Sequence, residues 1–449
     1  MIDALNDMLA CPRCQQPLAA LHCPACRVDY PLLGDVPWLF ADPQAAVSDW
    51  RNRWHFALAR LDDEQQRARA ALAARPAPAT ARRRERLAAG YESQRVALKQ
   101  LLAPLELAQG GALETHLALR TRLPSTLGIT SYDANVHRDW CWGETETRAA
   151  LAELQALIDD PGSDAHVLVI GAGAGRLAYD LHQATTSALT LAVDVNPLLT
   201  WVGHRVSRGE TVHLTEFPLA PRTADQVAVC RALSAPRPAR PGLEFVLADL
   251  LRLPLRPGQF DLVITPWLLD VVEADTHWLV QRINQLLRPD GRWLNQGSVA
   301  FQNAAPERRY TLEELTDMAQ ALGFATPEVR EAELPYMACP DSRHARRELV
   351  ASFAARKLAD APRPGRRDAL PDWIVTGRAP IPALPAFQTQ AMTTRVHAFI
   401  MSLIDGRRTL RDMAKVMEQQ QLMPYRDAEQ ALRGFLIKMY DEAQRAQGL

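Results

Sequence analysis

The sequence predicts an α/β fold with a mostly parallel sheet, preceded by a small metal-binding segment and followed by a helical tail. Strand-like and helix-like segments alternate from about 165 to 356, the pattern of strands joined by crossover helices. Six prolines between 360 and 388 then break regular structure. Near the N-terminus, four cysteines are crowded into two C-x-x-C turns, Cys11-Pro-Arg-Cys14 and Cys23-Pro-Ala-Cys26.

Length and composition are those of a multi-domain globular chain. The 449 residues suggest about three domains at roughly 150 residues each. Lys and Arg number 51 against 52 Asp and Glu, a formal net charge of -1, so no overall positive field attracts nucleic acid or an anionic membrane. The start Met1-Ile2-Asp3-Ala4 lacks the parts of a signal peptide, and no apolar run reaches the roughly 20 residues of a membrane span. We expect a cytoplasmic protein without nucleic-acid or membrane partners.

The two C-x-x-C turns lie in residues 1–45, a segment called the ribbon below. In a reducing compartment such paired turns hold a metal more often than they form disulfides. Cys11, Cys14, Cys23 and Cys26 can present four thiolates in the tetrahedral arrangement of closed zinc sites, which leave no coordination position for catalysis. The segment resembles the small zinc-binding protein that activates several tRNA and protein methyltransferases. We therefore predict a structural Zn²⁺ site.

A helical region, residues 46–150, is expected between the ribbon and the sheet. It is rich in Ala, Arg, Glu, Gln and Leu and is interrupted by Pro76-Ala77-Pro78. The basic run Arg82-Arg83-Arg84-Glu85-Arg86 is typical of a solvated helix face, with phosphate contact as the alternative. The sheet itself is expected within 151–359, which we interpret as the catalytic domain.

The tail forms a separate helical domain, residues 389–449, after a proline-rich linker over 360–388. Thr409 can cap a helix that carries Met413 and Met417 on one face. Three short helices resemble a helix-turn-helix or winged-helix module. Amphipathic helices packed on one another explain the pattern equally well.

A glycine-rich turn follows the first strand of the catalytic domain. Val167-Leu-Val-Ile170 fits a buried strand and leads directly into Gly171-Ala-Gly173-Ala-Gly175-Arg176. Glycines allow a sharp turn and a close approach of the backbone to a ligand, and the next helix offers free N–H groups. The dinucleotide fingerprint requires a glycine at position 176. Because this chain has arginine there, S-adenosylmethionine fits better than a nicotinamide or flavin dinucleotide.

The carboxyl ends of the next three strands carry polar residues. They are Asp194 after Leu189–Val193, Asp249-Leu250 after Glu244–Ala248, and Asp270 shortly after Phe260–Ile264. Asp194 is positioned to accept both ribose hydroxyls, and the alternative is that Asp194 and Asn196 only cap the following helix. Asp249 and Leu250 stand where enzymes of this kind recognise the adenine amino group. Four ordered strand ends are a more specific signal than one glycine turn.

Residues 130–356 resemble the carnosine N-methyltransferase family of S-adenosylmethionine-dependent enzymes. The matching stretches are Val167–Ala178, Asp270 in Leu-Leu-Asp, Arg292-Trp-Leu-Asn295-Gln-Gly297 and Val136-His-Arg138-Asp139-Trp140. The resemblance implies a class I Rossmann-like methyltransferase fold. It also implies that Arg138 anchors the methionine carboxylate of the cofactor, with Asn135 nearby. A guanidinium can bind a carboxylate through two hydrogen bonds, and the alternative for Arg138 is an ion pair with a neighbouring acid.

The resemblance extends to residues that would contact the methyl acceptor. Asp270 matches the family's substrate-binding aspartate and would orient an imidazole by accepting its N–H. Tyr336 matches one family tyrosine, Gln302 stands where the family has a histidine, and Asn295 would support the site by hydrogen bonding. The second family tyrosine falls near Arg346, so carnosine itself is not the expected acceptor.

Together these observations predict an S-adenosylmethionine-dependent N-methyltransferase. The acceptor would be an imidazole or another nitrogen of a small molecule, a peptide or a protein side chain. One alternative is an RNA methyltransferase. The near-neutral charge disfavours it, and so does the absence from this chain of an N-P-P-Y or D-P-P-Y tetrapeptide after the fourth strand. The other is a non-catalytic cofactor-binding adaptor whose ribbon and tail dock protein partners.

Overall fold

The computed structural model describes residues 5, 7–105, 128–158, 160–272, 275–301, 305–362, 370–375 and 378–447. The chain divides into two compact units, Met1–Pro371 and Asp372–Leu449. Within the described ranges, no helix combines the length and the apolar character that a bilayer crossing requires.

The first unit opens with short strands and a pair of long helices. The strands are β1 (His22–Cys23), β2 (Val28–Asp29), β3 (Leu32–Leu33) and β4 (Val36–Leu39), and the helices are α1 (Pro43–Ala70) and α2 (Pro78–Leu101). The Asp42 carboxylate accepts a hydrogen bond from the Ala45 amide at 3.0 Å and so caps α1. Pro43 and Pro78 occupy first-turn positions, where a helix needs no N–H donor. Two helices therefore fill the region whose composition predicts them.

The rest of the first unit alternates helices and strands. In chain order they are α3 (Asp133–His137), a π-helical turn (Arg138–Trp142), α4 (Glu144–Gln155), β5 (His166–Ile170), α5 (Arg176–Ala184), β6 (Leu189–Asp194), α6 (Pro197–Ser207), β7 (Val212–Glu216), β8 (Val229–Leu233), β9 (Leu243–Ala248), β10 (Phe260–Pro266), α7 (Thr276–Leu286), β11 (Leu287–Gly297), α8 (Leu312–Ala321), β12 (Glu328–Tyr336) and β13 (Arg346–Arg356). The four predicted strands are present as β5, β6, β9 and β10, with ends within two residues of those expected from the sequence.

The central sheet is mostly parallel, as the alternation of elements predicts. Among the described residues it has nine strands in the order β12-β13-β11-β10-β5-β6-β9-β4-β3. The strands β11, β10, β5, β6 and β9 run parallel, and β13 runs antiparallel between β11 and β12. The direction of winding reverses between β5 and β10. Ligands of such sheets bind in the crevice outside the carboxyl ends of the strands at this reversal.

The two faces of the sheet are both covered by apolar side chains. On β5, Val167 and Val169 belong to the core beneath α4, α5 and α6, whereas Leu168 and Ile170 belong to the core beneath α7 and α8. All four side chains are buried. A parallel strand covered on both faces needs apolar residues at every position, which explains the continuous apolar run in the sequence.

The ribbon shares the core of the sheet. Its last strand, β4, pairs in parallel with β9, with Trp38 opposite Leu247 and Leu39 opposite Ala248. Trp38 is fully buried, and its indole N–H donates to the Pro43 carbonyl at 3.3 Å. The sequence pattern indicates a segment that precedes the sheet. It does not reveal the added strand, because the pairing partner lies far along the chain.

A hairpin formed by β7 and β8 lies outside the central sheet and is absent from the sequence prediction. It is inserted between α6 and β9 and packs against α2, where the Thr215 amide donates to Gln94 Oε1 at 2.7 Å. The indole of Trp142 donates to the Glu216 carboxylate at 3.2 Å. The hairpin therefore contacts both α2 and the π-helical turn.

The second unit is helical, as predicted for the tail. Its described helices are α9 (Asp372–Val375), α10 (Pro385–Ser402), α11 (Leu410–Gln419) and α12 (Tyr425–Gln447). Thr409 caps α11 and exchanges hydrogen bonds with Asp412 in a capping box, and Met413 and Met417 are buried with Leu432. α10 begins at a proline within the stretch expected to be linker, because proline is favoured in the first turn of a helix.

Candidate active site

The three positions that follow β5 require glycine because of their backbone angles, and two of them also because of packing. All have left-handed backbone angles, with φ of 72° at Gly171, 58° at Gly173 and 80° at Gly175. A Cβ on Gly171 would lie 2.7 Å from Leu268 Cδ1, and a Cβ on Gly175 would lie 2.6 Å from the Phe245 ring. Both positions therefore require glycine for packing as well as for backbone geometry.

Gly173 is the glycine that faces open space. A Cβ built there has no described heavy atom within 4 Å. Its amide donates to Asp194 Oδ2 at 2.8 Å. The turn thus forms a cradle between β5 and β10, where the direction of winding of the sheet reverses. The first turn of α5, which begins at Arg176, borders this cradle.

Asp194, at the end of β6, is held beside this cradle. Its second oxygen accepts a hydrogen bond from the Asn196 amide at 2.9 Å. Burial raises the pKa of the Asp194 carboxyl from its ordinary 3.8 to about 6, although the Asn196 and Gly173 amides oppose that rise. Asn196 caps α6 by accepting from the Leu198 amide at 2.9 Å. Asn196 thus caps the helix, as the alternative for these two residues has it, while Asp194 also accepts from the glycine turn.

Asp249 and Leu250 lie at the end of β9, at the same edge of the sheet. Asp249 Oδ1 accepts from the Leu251 amide at 2.9 Å and so begins a short 3-10 turn, Leu250–Arg252. Leu250 and Leu251 pack against the core on the α7 side. Asp249 is partly exposed.

Arg138 lies in the π-helical turn, a type of element that is frequent at functional sites. Its guanidinium is paired with the buried Asp139 carboxylate at 2.7 Å. Nη1 lies 4.0 Å from Met337 Sδ, and the guanidinium carbon is 5.8 Å from the centre of the Tyr336 ring. The ion pair considered as the alternative for Arg138 is thus present, and it leaves Nη1 without an anionic partner among the described residues.

The π-helical turn is fastened to the glycine turn by two hydrogen bonds. The Trp140 indole donates to the Ala174 carbonyl at 2.8 Å, and Arg176 Nη1 donates to the Asp139 carbonyl at 2.8 Å. Asn135 lies in α3, directly before this turn, and is partly exposed. The segment that resembles the family's R-D-W motif therefore contacts the cradle directly.

Trp267 is a site residue to which the sequence pattern assigns no role. It follows β10 with φ of 49°, an unusual angle for a bulky residue, and its amide donates to the Gln296 carbonyl at 2.8 Å. A Cβ on Gly297 would lie 2.7 Å from the Trp267 backbone, so this glycine permits the close approach. The sequence signal that could have identified Trp267 as a site residue is its position directly after Pro266, the last residue of β10.

Tyr336 ends β12 and forms an aromatic pair with Trp267, with ring centres 4.4 Å apart. The guanidinium carbon of Arg346 lies 4.6 Å from the centre of the Tyr336 ring, since Arg346 is the cross-strand partner of Tyr336. Arg346 also pairs with Glu348 at 3.1 Å. The two rings therefore form an aromatic wall, and the Arg346 guanidinium stacks on the Tyr336 ring. Arg346 is a second residue to which the sequence pattern assigns no role.

Asp270 lies three residues beyond Trp267. Its Oδ2 accepts from the Ala300 amide at 3.2 Å, whereas its Oδ1 is buried and has no hydrogen-bond partner among the described residues. Burial raises the pKa of the Asp270 carboxyl, against the Ala300 and Ser298 hydrogen bonds that lower it. A half-satisfied, partly desolvated carboxylate is a group that can accept a proton or a hydrogen bond from a ligand.

Asn295 and Gln302 are the two other residues expected at the acceptor side. Asn295 is buried inside the sheet, where its Oδ1 accepts from Thr265 Oγ1 at 3.1 Å and its Nδ2 donates to the Ala351 carbonyl at 3.3 Å. Both polar ends are thus engaged in joining strands, which agrees with a supporting role. Gln302 lies outside the described residues.

The cysteines of the ribbon lie together. Cys11, Cys14, Cys23 and Cys26 place their sulfur atoms within 4.8 Å of one another. Cys11 and Cys26 sulfurs are 3.8 Å apart and those of Cys14 and Cys23 are 3.6 Å apart. Amides of Arg13 and Cys26 point at two of the sulfurs at 3.4 Å. The cluster is compatible with one bound zinc ion.

Comparisons with known proteins give one family match and several similar solved structures. Residues 222–294 match a family described as "Methyltransferase domain". No curated protein sequence matches the chain. Among solved structures, the chain is similar to phosphoethanolamine N-methyltransferase 2 of Haemonchus contortus, at 17% identity over 47% of this chain and 53% of that chain, with a TM-score of 0.31. The chain thus spans about half the length of that enzyme.

Two further solved structures are similar over most of their own length. The YcgJ protein of Bacillus subtilis has 15% identity over 47% of this chain and 99% of its own, with a TM-score of 0.34. A possible histamine N-methyltransferase from Thermotoga maritima has 14% identity over 49% of this chain and 91% of its own, with a TM-score of 0.31. The strand order of the central sheet and the matched domain indicate an α/β class I methyltransferase fold.

Proposed function

We propose that the chain is an S-adenosylmethionine-dependent methyltransferase that transfers the methyl group to a nitrogen atom. The match of residues 222–294 to a methyltransferase domain supports methyl transfer. The acceptor would be an imidazole or another nitrogen of a small molecule, a peptide or a protein side chain. The observation that carries this proposal is the Asp270 carboxylate, which has one buried oxygen without a partner among the described residues. It lies three residues after Trp267, whose ring pairs with that of Tyr336. The resemblance to carnosine N-methyltransferases belongs to the same proposal.

The cofactor side of the site suits a methionine nucleoside. S-adenosylmethionine supplies an electrophilic methyl group when bound. The open space at Gly173 leaves room for it, and the Asp194 carboxylate would accept hydrogen bonds from its ribose hydroxyls. Asp249 and Leu250 would hold its adenine ring through the side chain of the first and the backbone of the second.

Arg138 would anchor the carboxylate of the methionine portion, with Asn135 beside it. The Asp139 carboxylate fixes the guanidinium in place through Nε and Nη2, at 2.8 and 2.7 Å. Nη1 remains for the ligand. A guanidinium held by one carboxylate can bind a second one without losing its orientation, which lowers the entropic cost of binding.

Asp270 would orient the acceptor. One oxygen accepting an N–H from an imidazole leaves the other ring nitrogen with its lone pair free to attack. A pKa raised by burial brings a carboxylate closer to the range in which it can remove a proton at neutral pH. Tyr336 and Trp267 would exclude water and place a planar acceptor, while Asn295 keeps the neighbouring strands in register. Gln302 is proposed as a further polar wall.

The ribbon would hold a structural Zn²⁺ ion. Four Zn–S bonds of about 2.3 Å in a tetrahedron place sulfurs about 3.8 Å apart. The distances of 3.8 and 3.6 Å between sulfurs agree with that value. With all four positions taken by sulfur, the ion would stabilise the fold and take no part in methyl transfer.

The test is transfer of labelled methyl groups from S-adenosylmethionine to a fractionated cell extract, with the Asp270→Asn variant as the control. Label in small molecules, peptides or protein at a nitrogen, lost in the variant, supports the proposal. Label that enters RNase-sensitive material, or that is unchanged by the substitution, contradicts it.

A further inference from the structure

We infer that the ribbon positions the adenine-binding end of the cofactor site, so that S-adenosylmethionine binds more tightly when the four cysteines hold their metal ion. This inference rests on the proposed function, which assigns adenine recognition to Asp249 and Leu250. It makes the metal site part of the cofactor site, although the ion itself touches no ligand.

Backbone hydrogen bonds join the ribbon to the segment that follows Asp249. The Ala10 amide donates to the Pro254 carbonyl at 2.8 Å, and the Arg256 amide donates to the Met8 carbonyl at 2.8 Å. Ala10 directly precedes the first metal-binding cysteine. The position of the first C-x-x-C turn and the course of residues 250–256 therefore depend on each other.

Arg282 on α7 strengthens the same junction. Its Nη2 donates to the carbonyls of Leu253 and Leu255, both at 3.3 Å, and to Gln15 Oε1 at 3.5 Å. The arginine side chain is buried, so these contacts are little weakened by water. One cation thus connects a residue that follows the second cysteine with the two carbonyls of the segment after Asp249.

Packing connects the two sites as well. Leu250 and Leu251 lie against the same apolar core that contains Cys11, Cys23 and Tyr30. On the other side, β4 pairs Leu39 with Ala248, the residue before Asp249. The adenine-binding residues are therefore held between the interior of the ribbon and the strand that leaves it.

Loss of the metal should act through this junction. Four short strands cannot form a core of their own, and small domains of this kind usually fold only with their metal. Without it, residues 250–256 lose their hydrogen-bonded neighbour, and ordering them becomes a cost of cofactor binding. Coupling between two sites typically changes affinity by about 5- to 150-fold, and cofactor must strengthen metal binding by the same factor.

The experiment uses the full chain, demetallated with a chelator and reloaded with Zn²⁺, titrated calorimetrically with S-adenosylhomocysteine. A second titration uses its inosine analogue, in which a 6-oxo group replaces the 6-amino group. We expect the zinc-loaded protein to bind S-adenosylhomocysteine at least about 5-fold more tightly than the demetallated protein. Its preference over the analogue should fall in the demetallated form, because Asp249 is then less well placed to accept from the amino group.

A pair of matched variants separates positioning from general stability. Leu9→Ala weakens the packing of the ribbon in the apolar core that it shares with Leu255, while keeping all four cysteines. Leu154→Ala removes an equally buried leucine on the opposite face of the sheet. With zinc bound, the first should reduce the preference for the adenine compound and the second should leave it unchanged. Equal affinity with and without zinc, or equal weakening of both compounds, would overturn the inference. Failure of the zinc-loaded wild type to bind S-adenosylhomocysteine would reject the proposed function itself.

Discussion

Replacing Asp194 by asparagine should stabilise the free protein and weaken cofactor binding. The pKa of this carboxyl rises from 3.8 to about 6 on folding. In the unfolded chain the carboxyl therefore loses its proton first, so the free energy of unfolding falls as pH rises between 3.8 and about 6. At one pKa unit per 1.36 kcal/mol, the charged carboxylate costs about 3 kcal/mol at neutral pH.

Asparagine removes that cost and loses one of the two hydrogen bonds from Gly173 and Asn196. The cost of about 3 kcal/mol already includes both amide hydrogen bonds to the charged carboxylate, and a protonated carboxyl gives one of them up just as asparagine does. The net gain is therefore up to about 3 kcal/mol. For a unit that spans Met1–Pro371 the gain corresponds to a rise in Tm of up to about 4 °C at pH 7.5. The rise should shrink toward zero as the pH is lowered below 4.

Cofactor binding should change in the opposite direction. Ribose hydroxyls that donate to a charged carboxylate contribute about 1.5 kcal/mol or more each, so the affinity for S-adenosylhomocysteine should fall at least about tenfold. Because ribose binding favours the ionised carboxylate, the affinity of the wild type should increase with pH up to about 6 and then level off, and that of Asp194→Asn should not. Thermal melts across pH 4 to 8, with and without S-adenosylhomocysteine, measure both effects. A variant that melts below the wild type at pH 7.5, or that binds equally well, would refute this account of Asp194.

Three further substitutions test other parts of the site. Gly173→Val should lower the affinity for S-adenosylhomocysteine at least about tenfold, because the valine side chain enters the open cradle. Gly258→Val is the control, since Gly258 has a similar backbone angle and similar free space. It should lower the free energy of unfolding by about 1 to 2 kcal/mol through backbone strain, measured by melting, and leave the affinity unchanged. Asp270→Asn should abolish turnover with little effect on cofactor affinity in a calorimetric titration. The turnover of the wild type should rise with pH through a pKa above the ordinary range of a carboxyl. Tyr336→Leu should raise the KM for the acceptor several-fold by losing the ring contact with Trp267, and Tyr336→Phe should not.

The parts of the fold that depend on local pattern could be predicted from the sequence. Val167–Ile170 is continuously apolar because both faces of β5 are covered, and a short run of this kind is typical of a buried parallel strand. Likewise the start of α11 could be predicted from Thr409, because its capping box involves only neighbouring residues. The strand Val36–Leu39 was missed because its partner, β9, is set by long-range pairing that local patterning does not encode.

The candidate site divides in the same way. The positions of Gly173 and Asp194 follow from strand ends, whose order along the chain fixes them at one edge of the sheet. Trp267 and Arg346 meet at Tyr336 from segments far apart in sequence, so no spacing rule joins them. The ion pair of Arg138 with Asp139 was among the alternatives from the sequence, whereas the π-helical turn that carries both residues is not indicated by composition.

Calorimetric titration of the zinc-loaded chain with S-adenosylhomocysteine tests the central claim most directly. The arrangement of Gly173, Asp194, Asp249 and Arg138 predicts one saturable site per chain and a higher melting temperature in the complex. Absence of binding heat together with an unchanged melting temperature would contradict it.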